Sequence, residues 1–116
     1  MSNEKVVLDG WLFVHKDKIE GREIHPGQPE VVVYAHVLTK KKKAGGRHPV
    51  TLMGKPANFI RKFAKLVPGD TLSIRAMVEG ELFTVGECSR VRARFVTFFG
   101  VDGVMANEEP VCLEVG

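Results

Sequence analysis

The sequence predicts an all-β domain, a five-stranded Greek-key β-barrel with one short helix between its third and fourth strands. Three observations predict it. Apolar residues alternate with a period of two in several separate stretches, as half-buried strands require. A single stretch repeats instead at three and four residues, as an amphipathic helix does. The chain's 116 residues, 44% of them hydrophobic, suffice for one modest core and are too few for two independent ones. The order of three strands, a helix and two strands separates this barrel from helix-free barrels and from folds that need helices in two places.

The first strand places Val6, Leu8, Gly10, Leu12 and Val14 on one face and Val7, Asp9, Trp11 and Phe13 on the other. A polar passage follows, ending in the turn residues His25, Pro26, Gly27, Gln28 and Pro29. The β-branched run over 31–39 predicts the second strand, with Val31, Val33, Ala35 and Val37 opposite Val32, Tyr34, His36 and Leu38. Residues 40–49 show no periodicity and contain Gly45-Gly46, which predicts a flexible, basic hairpin loop into a third strand over 50–53. Pro56 suits a first helical turn. Phe59, Ile60, Phe63, Ala64 and Leu66 then form an apolar stripe with Arg61, Lys62 and Lys65 opposite, so a helix of about three turns is expected over 56–66.

Pro68, Gly69 and Asp70 end that helix. Leu72, Ile74, Ala76 and Val78 alternate with Ser73, Arg75, Met77 and Glu79 in a fourth strand that should break at Gly80. Residues 82–88 are expected to form a short hairpin connection. The fifth strand should put Val91, Ala93, Phe95 and Phe99 on its core side and Arg90, Arg92 and Arg94 on its outer side. The barrel domain is expected to span 1–103, and 104–116 to be a C-terminal extension, either a sixth, edge-type strand or an ordered tail. No internal repeat is present.

Charge is unevenly spread. Between Val31 and Gly69 there is no Asp or Glu, yet nine of the seventeen Lys and Arg residues fall there; against a formal net charge of +3, that leaves −6 for the rest. Such lopsidedness fits a polyanionic partner, although a solvated loop and helix face would produce it too. Cys88 and Cys112 lack zinc-ligand spacing and are too few for a disulfide framework, so two free thiols in a reducing cytoplasm are expected. No apolar run is long enough for a membrane span, and the polar start has no signal-peptide core. His15, His25, His36 and His48 show no paired metal spacing, and no Gly-rich phosphate loop or nucleophile motif occurs. The expectation is a protein that is not an enzyme and uses neither metal nor cofactor.

The blocks Val6-Val7-Leu8-Asp9-Gly10-Trp11-Leu12, Val50-Thr51-Leu52-Met53-Gly54-Lys55, the helix, Val67-Pro68-Gly69-Asp70 and Val78-Glu79-Gly80 come in an order and spacing that resembles bacterial and phage single-stranded DNA-binding proteins. The likeness covers roughly residues 5–99. It implies an oligonucleotide/oligosaccharide-binding fold (OB-fold) that pairs into homodimers or homotetramers and holds single-stranded DNA during replication, recombination or repair, with other replication proteins as further partners. Three features depart from the family pattern. Met53 stands where an aromatic is common, and Arg47 and His48 occupy the start of the third strand, where a tryptophan is common. The hairpin between the fourth and fifth strands reads as short, and the Gly- and Pro-rich tail with an acidic tip is missing unless the sequence is truncated. A tail-less form, similar to primosomal replication protein N, fits that shortage.

A non-selective binder of single strands combines a cationic track with aromatic platforms for unstacked bases. The cationic candidates are Lys40, Lys41, Lys42, Lys43 and Arg47 on the loop, Lys55 at the start of the helix, and Arg90, Arg92 and Arg94 on the last strand. A solvated outer barrel face is the alternative for the three arginines. Trp11, Phe13 and Tyr34 are the stacking candidates, Trp11 first; a subunit interface is the alternative for Phe13 and Tyr34. Phe59, Phe63 and Phe95 are expected in the core. The same barrel could instead be a protein-interaction module of a replication or phage or plasmid complex, or take RNA.

Overall fold

The computed structural model describes residues 4–25, 28–39, 46–101 and 110–115. Among these residues seven strands and one α-helix follow in order: β1 (Glu4–His15), β2 (Ile19–His25), β3 (Gln28–Thr39), β4 (Arg47–Met53), α1 (Gly54–Ala64), β5 (Thr71–Val85), β6 (Cys88–Val101) and β7 (Val111–Glu114). A single 3-10 turn, Lys16–Lys18, joins β1 to β2. Five strands close a barrel in the order β1, β5, β6, β4, β3 and back to β1. All neighbours are antiparallel except β4 and β6, whose parallel contact consists of Val50 opposite Val91 and Thr51 opposite Arg92. The architecture is all-β and OB-like, with one helix between the third and fourth barrel strands.

Alternation builds the core. Leu8, Leu12 and Val14 from β1, Val33, Ala35 and Val37 from β3, Val50 and Leu52 from β4, and Leu72, Ile74 and Val78 from β5 all point inward and are buried. Helix α1 closes one end of the barrel with Ala57 and Ile60, while Phe59 stacks on Phe98 of β6 with ring centroids 4.4 Å apart. Gly10 and Gly80 sit where strands press together. A Cβ on Gly10 would lie 2.1 Å from the Leu38 carbonyl oxygen, and one on Gly80 would lie 2.1 Å from that of Arg92. Only hydrogen fits at either place.

Several sequence expectations need correction. Gly80 does not break β5; it lets β5 and β6 approach, and the hairpin runs on to a two-residue turn at Gly86-Glu87, where Gly86 takes a φ of 63°. The hairpin that reads as short is therefore long. Phe95 is not a core residue. The register of β6 against β5 slips by one between Ala93 and Phe95 and again between Phe98 and Gly100, two bulges that turn Phe95 and Phe99 outward and carry Val96 and Phe98 inside. Each outer phenylalanine is 38% exposed.

The polar passage after β1 contains a strand, β2, which extends β3 along residues that β1 has left: β1 pairs with 36–39 of β3 and β2 with 28–33. Helix α1 starts and stops two residues earlier than expected, because Leu66 and Val67 already bond back to the Phe63 carbonyl in a closing turn. Leu66 is left 69% exposed, whereas Val67 packs on the core. Val111–Glu114 is an edge strand on β6, with Phe95 opposite Glu114 and Phe98 opposite Val111.

Candidate nucleic-acid interface

The outer face of β1, β3 and β4 follows from the same alternation that fills the core. Inward Val33, Ala35 and Val37 oblige Tyr34, His36 and Leu38 to face out. Strand register then sets their neighbours: Phe13 lies opposite His36, Trp11 opposite Leu38, Leu38 opposite Arg47 and Tyr34 opposite Thr51. A groove of about 520 Å³ runs over this face, lined by Phe13, His15, Lys18, Glu20, Tyr34, His36, Arg47 and Arg90. Two of its walls are rings at right angles, Phe13 and His15, with centroids 5.1 Å apart.

Arg90 reaches this face from β6. Its Nε donates to Thr51 Oγ1 at 3.0 Å and an Nη2 proton to the Val50 carbonyl at 2.9 Å. The guanidinium carbon stands 5.4 Å from the Tyr34 ring centroid, within cation–π range. Arg90 therefore fixes the ring's position and keeps further N–H donors for an anion. His36 sits half-buried between these cations. Burial first, then the charges of Arg47, Arg90 and His15, holds its pKa below the ordinary value of 6.5. Its imidazole is neutral at neutral pH.

Of the residues that the sequence singles out, the structure gathers Phe13, Tyr34, Arg47 and Arg90 at one groove. Trp11 lies one step further along β1, 39% exposed, between Leu38 of β3 and Arg75 of β5. Arg92 leans over the Phe83 ring, 4.9 Å from its centroid. Arg94 is drawn away: its Nη1 donates to Glu81 Oε1 at 3.2 Å, in a hollow that Glu114 also lines. The three arginines share a strand face, but Arg90 turns to the groove while Arg92 and Arg94 line that other hollow beside the carboxylates of β5 and β7. Lys55 is exposed on the first turn of α1 and is not among the groove's lining. Lys40, Lys41, Lys42 and Lys43 lie outside the described residues.

No family model, curated protein or solved structure matches the chain.

His15, Lys18, Glu20 and His36 are groove residues that motif reasoning passes over. A signal for two of them was present, since His15 continues the row of Trp11 and Phe13, and His36 that of Tyr34. Lys18 and Glu20 belong to the unforeseen strand and its leading turn. Chemically, the groove offers flat rings, several cations and one acidic residue, Glu20, on its rim. Among the described residues no cluster of three His, Cys, Asp or Glu side chains is arranged to hold a metal ion. No helix among them is long and apolar enough to cross a membrane.

Proposed function

We propose that the chain binds single-stranded nucleic acid, single-stranded DNA first, and holds it without altering it. The observation that carries this reading is the convergence of Phe13 and Tyr34 with Arg47, Arg90 and Lys18 at one open groove. Bases unstacked from a duplex need a ring to lie on, and their phosphates need cations within a few ångströms. Tyr34, held by Arg90, is a pre-set platform, and Arg47 stands where a phosphate flanking that base would come. A role in replication, recombination or repair, in the cytoplasm, follows from that activity.

The test is a titration with fluorescent oligo-dT at two salt concentrations. Removing the ring in Tyr34→Ala should weaken binding by about 1–3 kcal/mol. Neutralising Arg47 in Arg47→Gln should weaken binding and lower the steepness of log affinity against log salt by roughly 0.7. A parent affinity that ignores salt would remove the DNA reading and favour an apolar protein partner.

The same outer surface carries a second proposal, self-association. Val7, Trp11, Leu38, Phe95 and Phe99 are large apolar side chains left exposed on β1, β3 and β6, and a second copy of the chain would cover them in a homodimer or homotetramer. Sedimentation should show the assembly and Val7→Glu/Phe95→Glu should dissociate it. A parent that sediments as a monomer at every concentration would refute it.

A further inference from the structure

Strand β2 has two sides, and only one of them faces the aromatic groove. Lys18 and Glu20 line that groove. Ile19 and Gly21, one residue out of step, face the other way and line a hollow of about 510 Å³ against α1, together with Lys16, Val31, Arg61, Ala64 and Lys65. Among the described residues that line it, three are cations and none is acidic. The carboxylates of Asp17 and Asp70 line an adjoining hollow with His15 and Lys16.

We propose that this second hollow is a phosphodiester site, and that a single strand leaving the aromatic groove crosses the Lys16–Lys18 turn to reach it. The inference rests on the nucleic-acid reading above and extends it to a longer path around the molecule. Its chemistry suits a backbone rather than a base. Among the described residues no aromatic lines it; its floor of Ile19, Val31 and Ala64 is apolar and fits a sugar, and its rim is cationic. Nothing would stand within 4 Å of a Cβ built on Gly21, so the approach is open. Lys16 is held in place because its Nζ donates to the Val67 carbonyl, leaving two ammonium protons for a ligand. The turn itself supplies continuity, since Lys16 serves the helix-side hollow and Lys18 the aromatic groove.

The path makes a length-dependent prediction. The parent and the double variant Arg61→Gln/Lys65→Gln, both exposed positions that leave the core untouched, are titrated with fluorescent oligo-dT of about 5 and about 16 nucleotides, lengths near the two ends of the range for one OB barrel. The short strand should bind both proteins equally. The long strand should bind the variant roughly 10- to 30-fold more weakly at about 0.1 M salt, with a salt slope shallower by about 1.4 for two lost contacts. Equal affinity of the variant and parent for the long strand would overturn the second site, and so would equal losses for both lengths. A parent that binds neither strand would instead refute the nucleic-acid reading itself, and this site with it.

Discussion

Phe95 and Phe98 differ by three positions and by everything that matters energetically. Phe98 is fully buried against Phe59, while Phe95 lies on the outer face. Truncating the first removes a ring from a packed core, and truncating the second removes one from solvent. Phe98→Ala should therefore cost about 3–5 kcal/mol in urea unfolding, and Phe95→Ala in the monomeric chain less than about 1 kcal/mol. The sequence favours the opposite assignment, because simple alternation from Val91 carries Phe95 inward. One bulge, between Ala93 and Phe95, intervenes, and it leaves no trace in the pattern because Phe95, Val96, Phe98 and Phe99 beyond it make both faces of the strand apolar there. Arg94 was unreadable for a related reason: its carboxylate, Glu81, is thirteen residues away in sequence and adjacent only through the hairpin.

His36 carries the pH dependence at this scale. Its folded pKa lies below 6.5, so as pH falls through 6.5 the unfolded chain takes up the proton first and the fold loses stability toward the lowered value. The groups around it are Arg47 from β4, Arg90 from β6, His15 from β1, Tyr34 on its own strand, and Lys18 and Glu20 across the groove. A polyanion seated there would offset the repulsion from the two arginines and favour the protonated ring. Affinity for oligo-dT should consequently rise between pH 8 and pH 6 by more in the parent than in His36→Gln. Identical pH profiles for the two proteins would exclude the ring as the source.

At the scale of elements, strands with a long apolar row were legible and a strand with little apolar surface was not. β1 declares itself through its apolar row, β3 through its β-branched run and β5 through alternation as far as Gly80. β2 does not, because Ile19-Glu20-Gly21-Arg22-Glu23-Ile24 offers little apolar surface and is held as an added edge of β3. Glycine misleads in the same way. At Gly80 the residue type suggests a turn, yet what it provides is room for the Arg92 carbonyl, 2.1 Å from where a Cβ would stand. Gly80→Ala should destabilise the chain by about 2 kcal/mol or more. Gly21→Ala, with nothing within 4 Å, should change stability by no more than about 1 kcal/mol, as thermal melts of the two variants would register.

For the whole molecule, the described cations between Val31 and Gly69 sit on β4, on α1 and just after it, and so reach more than one side of the barrel. Among the described residues of that stretch the groove takes Arg47 alone; its other basic groups, Lys18 and Arg90, come from distant parts of the chain. Net charge by segment therefore did not pick out the groove's own cations. Barrel closure decides which charges meet, and closure is a property of pairing between segments far apart in sequence.

That closure has a narrow point. The parallel seam between β4 and β6 is two residue pairs wide, and the guanidinium of Arg90 stitches across it to Thr51 and to the Val50 carbonyl. The same side chain that steadies Tyr34 is thus a clasp on the wall beneath. Any occupant that tightens Arg90 against the ring also draws the seam shut, so guest and container harden together.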